Sequence, residues 1–404
     1  MDIKLTSYEK EILLGKHGEA RQLAMEIIVK TARALGAGEL VEVVSVQAMA
    51  HFGSLHIAGR DWLEKLACMG GKCSVPTTQD PASIPFETWE EMGYDREYAE
   101  NQLRLRDAII KLGELPTWSC TPYNQGSVPR FGQNVAWAES SAVSYANSVL
   151  GARTNRTPAG FAICAALTGR APKFGLYLPE NRMAQIKVTI EAGYLNDLDF
   201  NTIGIILGKS MGNKIPALYG IEQSVSNDNL KYLGASAASS GSIALYHIDG
   251  ITPEAIMHDP FHGKKSEGEF LITRKMLDET AASMTTKFPD EPDLVVTGCP
   301  HSSPSELLKI SELIEGKKVK PGKGFWIFTT YETEGLLRRM GILQKLEEAG
   351  VRMMVSTCLV ISPLVGSYKT LMTDSGKFAS YLPSEHNVEL IYASIEDCIK
   401  AVAE

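Results

Sequence analysis

Apolar positions follow two rhythms along this chain: short continuous runs, and stretches with the 3.6-residue period of an amphipathic helix. Two helices are predicted first, over Tyr8–Gly15 and about Glu19–Ala34, the second stopped by Gly36-Ala-Gly38. Strand-like Leu40–Val46 precedes a helix over Leu55–Met69, a short strand around Lys72–Val75 and a charged helix over roughly Arg96–Leu112. Leu115–Ser119 reads as a short strand ending at Cys120, Val135–Leu150 as a long helix of small residues, and Phe161–Leu167 as another helix. Gln185–Glu191 fits a strand, Thr202–Leu207 a strand or a short helix, and Ala235–Ser242 is a small-residue run leading into a strand at Ile243–Ile248. Residues 252–268 are polar and rich in turn formers, the best candidate for an exposed loop or linker.

The last third is the most regular. Strands at Leu294–Thr297, Gly324–Thr329, Val351–Thr357 and Val388–Tyr392 alternate with helices at Pro304–Ile314, Glu332–Ala349 and Ile395–Ala403. Apolar strands alternating with helices imply an α/β fold whose C-terminal part is a doubly wound, mainly parallel sheet. The pattern suggests an N-terminal α/β domain over 1–115, a middle domain over 116–285 and a C-terminal domain over 286–404.

Composition narrows the class. The chain has 404 residues, 44% of them hydrophobic, and a mean hydropathy of −0.07. That is enough for two or three domains with apolar cores. Lys+Arg 40 against Asp+Glu 48 gives a net charge of −8. An acidic balance argues against sequence-independent nucleic-acid binding, which needs a basic surface, but leaves a small anionic substrate open. No stretch approaches the roughly 20 apolar residues of a membrane helix, and the charged opening MDIKLTSYEKEILLGKHGEA lacks a signal-peptide core. A cytoplasmic protein is therefore expected. In that reducing compartment the seven cysteines point to metal binding, catalysis or packing rather than disulfides.

The cysteines differ in their settings. Cys299 follows Leu294-Val-Val-Thr-Gly298 and Cys358 follows Val351-Arg-Met-Met-Val-Ser-Thr357, so both lie at the carboxyl ends of strands, where open α/β sheets bind ligands. Cys120 also ends a strand-like segment and enters a loop. Cys68, Cys164 and Cys398 lie on apolar helix faces and Cys73 near a short strand, as packing residues would. Three thiolates far apart in sequence suit an iron–sulfur cluster with one iron left open to act as a Lewis acid. Structural zinc would favour close pairs such as C-x2-C, and a zinc hydrolase H-E-x-x-H; neither occurs.

At these residues the chain resembles the aconitase X family. The matching stretches are Ser119-Cys-Thr-Pro-Tyr123, Trp137 through Asn155 (WAESSAVSYANSVLGARTN), Gly298-Cys-Pro-His301, Cys358 before Ile-Ser-Pro, and Thr373-Asp-Ser-Gly-Lys377. The resemblance covers nearly the whole chain. It implies a hydro-lyase with the three-domain architecture of an aconitase large subunit around a cluster held by Cys120, Cys299 and Cys358. It further implies a separate small swivelling subunit carrying a serine base, so that this chain alone would be inactive. The family's substrates are cis-3-hydroxy-L-proline and 5-phosphomevalonate, and the Val75–Thr78 and Asp80–Trp89 stretches incline towards the first.

Dehydration needs a base, an acid for the departing hydroxide and groups that hold the substrate's charge. Glu139, Ser140, Ser141, Ser144 and Asn147 can share one polar helix face, either facing the site or forming a solvated or close-packing face. Arg153 and Asn155 continue that face, and Arg153 can fork a carboxylate or phosphate or form a surface salt bridge. His301 can protonate the leaving group, orient the cluster or cap a loop, and Ser302 or Ser303 can cap the following helix. Ser375 and Lys377 can cradle an anion or merely turn the chain. Glu139, Ser140 and His301 are the catalytic candidates. Ser45, Thr77, Thr78, Tyr123, Ser141, Asn147, Arg153, Asn155, Ser302, Ser375 and Lys377 are the substrate-binding ones, with His51 a weaker addition. The competing reading is a non-catalytic subunit that uses a cluster or metal ion for stability alone.

Overall fold

The computed structural model describes residues 3–286 and 291–404. Residues 287–290, within the stretch expected to open the third domain, lie outside the described residues. The chain divides into two compact units, Met1–Met183 and Ala184–Glu404.

The N-terminal unit runs α1 (Ser7–Leu13), α2 (Glu19–Ala34), β1 (Leu40–Glu42), β2 (Val46–Ala48), α3 (Phe52–Cys68), β3 (Thr77–Gln79), α4 (Trp89–Met92), α5 (Arg96–Leu112), β4 (Ala136–Trp137), α6 (Ser140–Ser148), α7 (Ala159–Thr168) and β5 (Arg170–Pro172). Strands β3, β2 and β4 form a parallel sheet in that order, and β1 pairs with β5 antiparallel. The apolar run expected as one strand over Leu40–Val46 is thus split between two sheets. Pairing of β2 with β4 also joins residues on both sides of the boundary expected at 115/116, which does not coincide with the division at 183/184.

Other sequence expectations shift here for local reasons. The strand expected at Lys72–Val75 lies further on, at Thr77–Gln79. Leu115–Ser119 runs beside β3, with Leu115 N on Thr77 O at 2.7 Å and Ser119 N on Gln79 O at 2.8 Å, but Trp118 at φ 47° interrupts the ladder. The helix expected over Val135–Leu150 begins only at Ser140. Ala136 and Trp137 are claimed by β4, and the Glu139 carboxylate caps the helix by accepting from Ala142 N at 2.7 Å. Cys68, expected as a packing residue, is exposed.

The second unit holds two parallel sheets. The first contains β6 (Ile186–Glu191), β7 (Pro216–Tyr219), β8 (His247–Ile248) and β9 (Gly268–Thr273) in the order β8-β7-β6-β9. Its helices are α8 (Asp197–Met211), α9 (Asn227–Ser240), α10 (Pro253–Met257) and α11 (Arg274–Ser283). The ambiguous Thr202–Leu207 is the middle of α8, and Ala235–Ser240 is the end of α9 rather than a lead into a strand. Both helices bury nearly every face, which erases the amphipathic period. Side chains at Gly204 and Gly208 would strike the backbone of α9 and its cap, at Leu233 O and Gly241 N.

The second sheet contains β10 (Leu294–Thr297), β11 (Gly324–Thr329), β12 (Arg352–Val355), β13 (Thr370–Thr373) and β14 (Glu389–Tyr392), all parallel, in the order β12-β11-β10-β13-β14. Its helices are α12 (Pro304–Leu313), α13 (Tyr331–Arg339), α14 (Ile342–Glu348), α15 (Gly376–His386) and α16 (Ile395–Val402). Val295, Phe325 and Ile327 pack in one apolar core with Leu307, Leu346 and Ile399. This is the expected doubly wound sheet, with two amendments. Gly341 at φ 71° splits the helix expected over Glu332–Ala349. The four-residue β13 and the helix after it carry no strong sequence signal, yet β13 makes β10 central and places the order reversal between them.

Candidate active-site residues at the strand ends

In the second unit, Cys299 leaves the end of β10, and the Asp374–Ser375 turn leaves the adjacent β13. The reversal of strand order between β10 and β13 opens the crevice where doubly wound sheets bind ligands. The turn is built into the cysteine loop: Ser375 Oγ donates to Cys299 O, and Thr297 Oγ1 donates to Asp374 Oδ1 at 2.6 Å. Ser375 also caps α15, its Oγ accepting from Phe378 N, while Gly376 N donates to Asn201 Oδ1 of α8 at 3.1 Å. Lys377 lies buried in the first turn of the same helix. Loss of water around the Asp374 carboxyl pushes its pKa up to about 6.

His301 ties two cysteine loops together. Its Nε2 is 2.9 Å from the carbonyl of Thr357, the residue before Cys358. The backbones continue the connection: Ser302 N donates to Phe328 O, Thr329 Oγ1 donates to Ser302 O, and Ser356 N donates to Thr329 O, at 2.9, 2.9 and 3.2 Å. Ser303, not Ser302, caps α12, its Oγ accepting from Glu306 N. Under this loop, buried Lys231 pairs with Asp228 at 3.1 Å and with Glu306. Burial pulls the Lys231 pKa down, but the two carboxylates outweigh it and hold the group above its ordinary value. Burial likewise raises Glu306, to about 7 against the pull of Lys231. Sequence reading missed this triad because Lys231 and Glu306 lie 75 residues apart.

In the N-terminal unit, the hub is a residue that sequence reading passed over. Gln47, in β2 and inaccessible to solvent, donates from Nε2 to Ser119 O at 3.2 Å and to Asp80 Oδ1 at 3.5 Å, and its Oε1 accepts from Glu139 N at 3.3 Å. A polar residue inside the apolar Val43–Ala50 run was the available signal. The segment ending at Cys120, the end of β3 and the start of α6 thus meet on one side chain. Tyr123, three residues after Cys120, stacks on Tyr145 at 3.7 Å between ring centroids. His51 is buried, which lowers its pKa to about 4, and its Nδ1 has no hydrogen-bond partner.

Many of the expected N-terminal contacts are engaged within the unit. Ser140 and Ser141 donate to the Glu139 carboxylate. Asn147 bonds Thr154 N and O at 3.0 and 2.9 Å and accepts from Arg182 at 2.9 Å, while Asn155 bonds Phe174 O and Leu176 N. Ser45, which precedes β2, accepts from the Trp137 indole, and the Thr77 and Thr78 hydroxyls donate to the Val75 and Val46 carbonyls. Arg153 is half-buried, with Nε unpartnered.

Cys120 and Cys299 are buried and Cys358 is half-buried. Cys164 and Cys398 are buried thiols whose pKa values burial pushes up, Cys164 to about 12, in keeping with packing. Among the described residues, no group of three or more His, Cys, Asp or Glu side chains is placed to hold a metal ion. An iron–sulfur group nonetheless fits the donors and surroundings of the second unit. Soft thiols stand at two adjoining strand-end loops, each with a buried serine hydroxyl, Ser302 or Ser356, left without a partner. No helix of the described residues is long and apolar enough to cross a membrane.

Three family models match in succession: aconitase X first domain over residues 2–180, second domain over 184–282 and third domain over 292–404. The phosphomevalonate dehydratase large subunit of Methanosarcina mazei is 38% identical over 397 residues, covering 98% of this chain and 96% of that one. The cis-3-hydroxy-L-proline dehydratase of Pseudomonas aeruginosa is 33% identical over 406 residues, covering 98% of this chain and 70% of its own. The crystal structure of Thermococcus kodakaraensis aconitase X in its holo-form superposes with a TM-score of 0.91 at 33% identity, covering 99% of this chain and all of that one.

Proposed function

The chain belongs to the aconitase X family, and from that premise we propose that it is the large subunit of a hydro-lyase that removes water from a small hydroxy acid. The observation that carries the reading is the pair of cysteine loops joined by His301 at the carboxyl ends of parallel strands. Cys120, Cys299 and Cys358 are the proposed ligands of an iron–sulfur cluster, which when bound supplies a Lewis acid that polarises the leaving hydroxyl.

The chain's own residues bind and orient. Lys377, in the first turn of α15, offers its charge and the helix N-terminus to a substrate carboxylate or phosphate, with Ser375 fixing the turn. Arg153 offers a second cationic fork. His301, whose Nε2 lies against Thr357 O, would pass a proton towards the departing oxygen. Glu139, an N-cap whose carboxylate receives three hydrogen bonds, organises the start of α6 rather than moving protons. The base comes from a small subunit. The relatives named as large subunits support such a partner.

Sequence stretches incline towards cis-3-hydroxy-L-proline, but the Methanosarcina relative, of greater identity and matching length, is named for phosphomevalonate. We therefore put 5-phosphomevalonate first. The test is to mix the chain with its small subunit without oxygen and follow loss of each substrate. Turnover of 5-phosphomevalonate alone supports the full reading, turnover of cis-3-hydroxy-L-proline alone reverses the substrate order, and turnover of neither rejects it.

A further inference from the structure

Two serine hydroxyls in the second unit are buried and make no hydrogen bond. Ser302 is 2% exposed and Ser356 is fully inaccessible. A buried hydroxyl without a partner forfeits its hydrogen bonds to water, at a cost that folded proteins rarely leave uncompensated. Both occur in the strand-end loops that carry the cysteines: Ser302 three residues after Cys299, and Ser356 two residues before Cys358. Their backbones are neighbours, since Thr329 bonds Ser302 O through its hydroxyl and Ser356 N through its carbonyl.

Backbone geometry adds two independent signs. Ser356 has φ 64°, the left-handed region that a serine enters at a cost and a glycine does not. Strained backbone of this kind clusters at active sites and ligand clamps. Gly298 has φ 92°, and a Cβ on it would collide with Phe328 O and lie 2.9 Å from Ser302 Oγ. The Ser302 hydroxyl therefore rests against the peptide that leads into Cys299. Ser303 supplies the cap of α12, so capping does not account for Ser302.

We propose that the hydroxyls of Ser302 and Ser356 are hydrogen-bond donors to the sulfur atoms of the bound iron–sulfur cluster, including its cysteine thiolates, and that they set its reduction potential and its resistance to air. The inference rests on the cluster reading above and moves Ser302 from the substrate to the cofactor. Donors to sulfur stabilise the more electron-rich, reduced state and so raise the potential. Removing one lowers the potential and makes oxidation, with loss of iron, easier.

The experiment compares wild type, Ser302→Ala, Ser356→Gly and, as a control, Ser311→Ala. Ser311 donates to Leu308 O on α12. Each is purified without oxygen with its small subunit. Iron and sulfide are counted, the midpoint potential is titrated with spectroscopic detection, the half-life of iron in air is timed and Tm is recorded. Ser356→Gly removes the hydroxyl while relieving the left-handed strain, so its Tm should hold or rise. Ser302→Ala and Ser356→Gly should each lower the potential and lose iron roughly tenfold faster in air, while Ser311→Ala matches wild type. Unchanged potential and iron half-life would overturn the proposal, as would a change confined to KM, which would return the hydroxyls to the substrate. A fall in Tm in both variants with an unshifted potential would assign them to packing, also against it. Wild type without iron would bring down the cluster reading and this inference together.

Discussion

The segment from Trp137 to Asn155 and the strand-end loops around Cys299 and Cys358 both carry buried polar residues and use them differently. In the first, most are engaged: Glu139, Ser140, Ser141, Asn147 and Asn155 hydrogen-bond to one another, to Thr154, to Arg182 or to nearby backbone, while the Ser144 hydroxyl and Arg153 Nε are left without a partner. In the second, Ser302 and Ser356 hold buried hydroxyls with no partner, three and two residues along the chain from Cys299 and Cys358. The longest stretch of the family resemblance lies in the first segment, Trp137 to Asn155. The difference teaches that a signature residue can be kept for the shape it fixes, and that its hydrogen bonds separate scaffold from site.

The largest effect that would break this comparison lies at the thiols. Cys299→Ser should empty the chain of iron and reduce activity of the complex by on the order of a thousandfold, about 4 kcal/mol of barrier. Cys398→Ser, in the α16 core, should keep its iron. Metal analysis beside a turnover assay checks both.

Next in size is the buried ion triad beneath the His301 loop. Lys231→Met leaves Asp228 and Glu306 facing each other without a cation and should cost about 3–5 kcal/mol, read by denaturant unfolding. Asn147→Ala should cost about 2–3 kcal/mol by stranding Thr154 N and Arg182, yet leave the iron count unchanged. If Asn147→Ala instead kept its stability and raised KM, Asn147 would rejoin the site and the contrast between the two regions would fail.

A last test concerns a second kind of unpartnered buried group. Glu114 is buried with both carboxylate oxygens unbonded, and burial raises its pKa to about 8. The native state then keeps a proton that the unfolded chain releases above its ordinary carboxylate value. Stability is therefore lost as pH rises from about 4.5 to about 8, by at most roughly 1.4 kcal/mol per pH unit. Glu114→Gln should flatten that slope in pH-dependent thermal melts while leaving iron untouched. Protonation removes the charge of Glu114 but leaves its O–H and C=O unbonded, so what sets Ser302 and Ser356 apart is their place in the loops that carry Cys299 and Cys358.

Much of this was legible in the sequence. The apolar runs Leu294–Thr297 and Gly324–Thr329 declare buried parallel strands, and Cys299, following the first, declares a strand end. The helix α8 was ambiguous because burial on every face removes the period that reveals a helix. Strand β13 is four residues long, so the turn at Asp374–Lys377 was visible as a motif but not as the neighbour of Cys299. Gln47 and the Lys231 triad act through partners distant in sequence, which no local pattern encodes. Ser356 hid for another reason: its significance lies in a backbone angle and in bonds it does not make.

The iron–sulfur cluster proposed on Cys120, Cys299 and Cys358 carries the rest of the functional reading. The most direct measurement counts iron and acid-labile sulfide per chain, on wild type and on the three single Cys→Ser variants, purified and reconstituted without oxygen. The account predicts iron and sulfide in matching amounts in wild type and their loss in each variant. Wild type with neither after reconstitution, or a variant at any of the three positions with a full complement, would contradict it.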